Sequence, residues 1–304
     1  MNLLRLLLVC GCATIVGCVG VLPGRNEPEI AFARNGYMMK MRADGSAVQN
    51  LAAGSGDLPS DWSSDRSQIL FTHNNAITVC DADGSHPVQL TSGADFTPTW
   101  SPDGTKILFS RRLGADATTE EIFVAGADGS NPVRLTNNAV VDWSPRWSPD
   151  GLHIAFTSLR NNSVQIYEMQ ADGTGEHQLT TTGNENYAPA YSPNGSHIAY
   201  FTKVAGRYQV AIMASDGTAQ TVIAQAAADN EAPTFSPDGT KLAYQSSIDG
   251  RTWDIITCNF DGSGSHNLTH GTGSSTTPIW RRADPGTEWP KLSIQKMVKS
   301  WRAA

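Results

Sequence analysis

Residues 235–246 read FSPDGTKLAYQS, and nearly the same words return as WSPDGTKILFS from 100, WSPDGLHIAFT from 147 and YSPNGSHIAYF from 191. Each copy holds an aromatic residue, a Ser-Pro-Asp-Gly reversal and an Ile/Leu-x-Phe/Tyr segment with strand-like alternation. Pro presets the second turn position and Gly accepts a positive φ, so the phrase predicts two strands folded back on each other. Alignment on it places aromatic anchors at Trp62, Trp100, Trp147, Tyr191, Phe235 and Trp280, spaced 38, 47, 44, 44 and 45 residues apart.

A second landmark, Asp-Gly, falls at Asp44, Asp83, Asp128, Asp172, Asp216 and Asp261. It predicts a further hairpin, entered about six residues earlier at Met38, Ile77, Ile122, Ile166, Val210 and Ile255. An aliphatic residue follows seven positions after each Asp, at Leu51, Leu90, Leu135, Leu179, Ile223 and Leu268. Each unit therefore reads as four short strands, a to d, with the anchor closing strand a. Repeats of about 44 residues with four strands are the signature of a β-propeller. The two landmarks are out of phase: residues 29–51 supply only strands b, c and d, and residues 277–281 only strand a. One blade is thus assembled from both ends, which predicts an all-β, six-bladed propeller with four-stranded blades, closed by a latch blade. Closure removes the open ladder edges of a linear array.

The start, MNLLRLLLVCGCATIVGCVG, has one cation, Arg5, then an apolar run and small residues ending in IVGC. It reads as an export signal over 1–18. The tetrapeptide resembles the bacterial lipobox, which would put an acyl group on Cys18; a plain cleaved signal and an uncleaved anchor remain open. Residues 19–28 are then a linker, 29–282 the propeller, and 283–304 a tail. In that tail Ile294, Met297, Val298 and Trp301 share a helix face, while the lysines fall elsewhere, giving a basic amphipathic helix that packs on the propeller or meets anionic lipid. The net charge of −7 argues against nucleic acid as partner.

The pattern P-x-W-S-P-D-G-x-x-I-x-F, then A-D-G-S, then L-T, over about residues 29–282, is similar to the TolB-type propeller repeat. The resemblance implies a bacterial envelope protein, periplasmic or surface-facing; the separate N-terminal α/β domain of TolB is not expected, since this sequence offers no room for it. It also implies a binding module for protein or cell-wall partners, monomeric and not an enzyme. Related repeats occur in oligogalacturonate lyase-like enzymes, so a channel-mouth enzyme acting on a carbohydrate is the alternative. Such enzymes group histidines on a metal, whereas His153, His197, His177 and His266 fall on scattered strand positions. A hydrolase would need a Gly-x-Ser-x-Gly elbow, and the sequence has none.

Strand alternation puts the Ser-Pro-Asp-Gly and Asp-Gly turns on one face, and the b–c loops and d–a connectors on the other. Variable loops on a rigid scaffold are where binding sites usually lie. Five residues before each anchor stand Asp57, Asp95, Asp142, Asn186, Asn230 and Ser275, expected to ring the channel mouth on this connector face. Three neighbouring carboxylates favour a hard cation such as Ca2+, or a cationic group on a partner; the competing expectation is a set of turn residues paired to nearby arginines. Asn186, Asn230, Arg111, Arg207 and Trp253 complete the expected partner-binding set, with His73, Trp143 and Tyr187 on the same face. Cys80 and Cys258 hold equivalent strand-c positions in blades too far apart for a disulfide, where other copies have Met41, Ala125, Met169 and Met213; they are expected as buried apolar groups.

Overall fold

Two turns per repeat decide the path of the chain. In the first, Ser101 Oγ donates to Asp103 Oδ1 at 2.6 Å and Gly104 N to Ser101 O at 2.9 Å; the copies at Ser148, Ser192 and Ser236 repeat this geometry. Gly104 sits at φ 72°, and in the degenerate second copy Arg66 takes the same left-handed position at φ 65°. In the second turn, the Asp-Gly glycines lie at φ 80–87°.

The computed structural model describes residues 28–51, 54, 56–114, 119–181, 185–223 and 227–282. The signal, Cys18, most of the linker and the amphipathic tail lie outside them. The described residues form six antiparallel sheets of four strands, each in the order a, b, c, d from the axis outward, and contain no helix. The inner strands are Leu58–Trp62, Asp95–Trp100, Asp142–Trp147, Asn186–Tyr191, Asp229–Phe235 and Ser275–Trp280. They touch in cyclic succession, the last contacting the first, so the ring is closed.

Closure is the predicted latch. Ser275–Trp280 pairs with Glu29–Arg34, with Ile30 opposite Trp280 and Arg34 opposite Ser275. Arg281 N donates to Glu29 O at 2.8 Å, and its guanidinium to the Glu29 carboxylate at 2.5 Å. The latch sheet then continues through Tyr37–Arg42 to Gln49–Asn50. Every strand d is only two residues long, which leaves little open edge for another chain to extend.

Packing lies between blades. Trp62 and Phe71 of the second blade bury against Ala31, Met38, Leu51 and Ile279 of the latch blade, and comparable clusters fill the remaining interfaces. Burying such a Trp is worth about 3 kcal/mol or more. The Leu-Thr pair of the repeat has two tasks. The Leu is apolar filler, and the Thr hydroxyl accepts a strand-c amide, Ile77 N on Thr91 and Ile122 N on Thr136. The Asp-Gly glycines add backbone contact: a Cβ on Gly129 would stand 2.2 Å from Leu90 O, and on Gly262 2.1 Å from Ile223 O, in each case in the preceding blade. Cys80 and Cys258 are buried and unbridged; burial pushes their thiols up to about 12 and about 11.

The inner strands carry one irregularity that matters for the site. Each pairs with strand b through a bulge. In five of them a non-glycine residue sits at the bulge with positive φ: Thr97, Ser144, Ala188, Ala232 and Thr277, all within 49–52°. Such residues cost on the order of 1 kcal/mol or more each, and the bulge shifts the pairing register between the head of strand a and its anchor. The second blade has Pro59 here, whose ring forbids positive φ, and its bulge is shorter.

Candidate functional site

The six residues that open the inner strands are all buried, and each is met by its own partner. Asp57 Oδ1 lies 2.5 Å from His73 Nδ1. Asp95 takes a two-pronged bond from Arg111, at 2.6 and 2.8 Å, and the Arg111 guanidinium also lies about 5 Å from the Phe109 and Phe123 ring centres. Asp142 accepts from Arg160 at 3.1 Å and from Asn138 at 2.7 Å. Asn186 and Asn230 donate to Gln165 and Gln209 at 2.9 and 3.2 Å, and Ser275 accepts from Arg34 at 3.1 Å. Burial raises the Asp57 carboxyl above the ordinary aspartate range, with the His73 bond opposing it.

In this geometry each expected carboxylate meets a separate partner, an arginine for Asp95 and Asp142 as in the competing expectation. Asp57, Asp95 and Asp142 do not converge, and among the described residues no group of three or more His, Cys, Asp or Glu side chains could hold a metal ion. Each carboxylate is turned into its own blade, where a strand-b side chain, His73, Arg111 or Arg160, meets it. The expected partner-binding set divides as well. Asn186 and Asn230 are buried, and Arg111 is committed to Asp95, so these three hold the loops. Arg207, 3.4 Å from Asp229, and Trp253 remain half-exposed.

Above this buried layer the connector face is uneven. Strands b and c are eight residues long in the third, fourth and fifth blades, but six or seven in the others, so half of the ring stands higher. On that half Trp143, Tyr187, Phe201 and Tyr208 form a continuous half-buried aromatic patch. Tyr187 stacks on Phe201 at 5.0 Å, lies edge-on to Tyr208 at 5.7 Å and leans on Trp143 at 6.3 Å. Its hydroxyl donates to Glu185 at 2.8 Å, and Lys203 closes on the same carboxylate at 3.2 Å. Burial, then the Glu185 bond, raise the Tyr187 phenol. The histidines are dispersed: His86 pairs with Asp81, His177 lies by Glu168, and His197 packs on Phe260.

The central channel is a cavity of about 890 Å³. Residues just before the aromatic anchors line it: Asp61, Thr99, Arg146, Ala190, Thr234 and Ile279. Asp61 is saturated, accepting from Arg282 at 2.6 Å, Thr99 Oγ1 at 2.8 Å, and the amides of Trp100 and Trp62 at 2.9 Å each. Sequence reasoning missed this position. Its signal was one register step from the anchors, where two charges, Asp61 and Arg146, interrupt an otherwise neutral series.

Comparison with known proteins follows the same line. The family described as the TolB beta propeller domain matches residues 38–283. Among solved structures, TolB from Acinetobacter baumannii is similar at 24% identity and a TM-score of 0.72, over 84% of this chain and 67% of that one. A putative TolB from Agrobacterium tumefaciens aligns at 21% identity and a TM-score of 0.67, over 85% and 99%. A chain of a nidogen/laminin complex shares the fold at 13% identity and a TM-score of 0.68, over 84% and 98%. No curated protein matches in sequence. Six latched blades of Ser-Pro-Asp-Gly and Asp-Gly turns, matched across nearly all of the described residues, make this chain a member of the TolB β-propeller family.

Proposed function

We propose that this chain is a binding module of the bacterial cell envelope, held to the membrane by a lipid on Cys18 and engaging a protein or cell-wall partner through its connector face. The observation that carries the reading is the apolar rim of that face. Tyr37, Leu58, Leu159, Val204 and Ile248, from five different blades, are 37–78% exposed around it; the other large exposed apolar side chains among the described residues are Leu152 in a Ser-Pro-Asp-Gly turn and, dispersed at the entry to strand d, Val48, Val88 and Val133. Apolar groups gathered on one side of a rigid scaffold mark an interaction surface, and the aromatic patch adds anchors of the kind that dominate binding energy. The buried pairs beneath hold the loops and leave the rim to make contact.

Orientation supports the same reading. Glu29 enters strand b from the turn face, and strand a ends there at Trp280, so both described ends emerge on that side. A tether at Cys18 would leave the connector face pointing away from the membrane. The test is capture from detergent-solubilised envelope, and sedimentation with purified peptidoglycan sacculi. The double variant Val204→Asp with Ile248→Asp is expected to lose its partner, and Leu152→Asp to keep it. Capture unaffected by the first pair, or abolished by the second change alone, would overturn the assignment. Cys18→Ser should leave the protein in the soluble fraction; membrane association surviving high salt would remove the lipid anchor from the reading.

A further inference from the structure

Among the described residues the channel lining holds two guanidinium groups, Arg146 and Arg282, and one carboxylate, Asp61. Arg282 is matched by Asp61 at 2.6 Å, and the remaining acceptor positions of Asp61 are filled by Thr99 and two backbone amides. Arg146 is different. Among the described residues its hydrogen bond is to the neighbouring carbonyl of Pro145, at 3.2 Å, and it has no carboxylate within ion-pair distance. Across the bore, Ala190, Thr234 and Ile279 supply no charge. Burial pushes the Arg146 guanidinium down, and the attraction of Asp61 is offset in part by the repulsion of Arg282. A half-buried cation with no carboxylate in ion-pair distance favours an incoming anion, and a planar guanidinium with free donors fits a carboxylate in two-pronged fashion.

We propose that the central channel is an anion site in which Arg146 takes up the carboxylate of a small monocarboxylic acid. The walls set the rest of the ligand. Pro59, Pro189, Pro233 and Pro278, with Ala190 and Ile279, make the bore largely apolar, so a slender hydrocarbon body suits it. Thr234 offers the one further hydroxyl at the level of Arg146. Mostly apolar walls with a few convergent polar groups are the usual make-up of a small-molecule pocket. The site is separate from the connector rim and stands whether or not the rim binds a partner.

Sodium butyrate is the probe, with butyramide as its neutral isostere and sodium chloride at matched ionic strength as control. Thermal melting of the mature protein should show a saturable rise with butyrate, about 3 °C at tenfold excess over Kd, and none with butyramide or chloride. Arg146→Gln should abolish the rise. That variant removes an unmatched charge and is expected to melt no lower than the native protein, so lost binding will not reflect unfolding. Arg146→Lys keeps the charge without the fork and should bind at least fivefold more weakly. A butyrate response that survives in Arg146→Gln, equals that of butyramide, or is lacking in the native protein overturns the proposal.

Discussion

The two faces of the ring are built by opposite rules. On the turn face the same atoms recur from blade to blade: a serine hydroxyl on an Asp or Asn oxygen, a glycine amide on the serine carbonyl, and an Asp-Gly glycine against the preceding blade. On the connector face the blades share one problem, a buried polar side chain at the head of strand a, and answer it differently. His73, Arg111 and Arg160 serve three of them, Gln165 and Gln209 come from the preceding blades, and Arg34 serves the latch. Repetition marks what every blade needs in order to close the ring. Divergence marks where the ring stops being symmetric, and only an asymmetric face can orient a partner.

The largest effect is expected where both faces depend on one element. Removing residues 275–304 opens the latch sheet and exposes the Trp280 site, at a cost of about 3 kcal/mol or more, and should abolish the single cooperative melting transition. A truncated chain that melts like the full one would mean that neither face needs closure. Next comes the connector layer. Asp95→Ala strands Arg111 and should cost about 3 kcal/mol by denaturant unfolding, whereas Asp142→Ala should cost clearly less, because Arg160 keeps Glu176 at 2.5 Å. Equal losses would show the connector face to be as uniform as the other.

Glycine substitutions sharpen the contrast further. Gly129→Ala on the turn face combines φ 80° with a 2.2 Å clash on a backbone oxygen and should cost about 2 to 3 kcal/mol. Gly206→Ala and Gly250→Ala, in connector-face loops with nothing within 4 Å of the new methyl, should cost about 1 kcal/mol from φ alone. The smallest effect concerns acid. Asp103 and Asp150 are held below the usual carboxylate range, first by a serine hydroxyl and then by a backbone amide. Depressed folded values give stability that is present above the unfolded carboxylate pKa and lost as pH falls through the folded one. Ser101→Ala should therefore lower the melting temperature at neutral pH by the equivalent of about 1 kcal/mol and flatten its decline below about pH 4.

How much of this could be read from the chain follows from the same contrast. Ser-Pro-Asp-Gly and Asp-Gly encode local turns whose geometry depends on four adjacent residues, so the blades, their order and the latch were legible. The connector ring was legible as positions and, for Asp95 and Asp142, as pairing to nearby arginines, but not as a full set of partners. Asp95 and Arg111 are 16 residues apart, and Asn186 and Gln165 21 apart across a blade boundary, so their pairing depends on register and twist. The bulge hid the rest: a positive φ at Thr97 or Ala188 has no glycine to announce it, yet it decides that Asp95 turns inward to Arg111 while the pre-anchor position lines the channel.

The latch has a topological consequence. In five blades strands a and b are joined by the four-residue turn; in the sixth that turn is missing, and Glu29 and Arg281 face each other across the gap. The polypeptide is thus a circle with a nick, and the nick sits inside a blade rather than between two. Joining residue 281 to residue 29 through a Ser-Pro-Asp-Gly segment would complete a sixth equivalent hairpin, and opening the chain instead at the Asn161–Asn162 loop would give a circular permutant with the same sheets. Its ends would then leave from the connector face, so moving the nick would reverse which side of the propeller a tether holds against a surface.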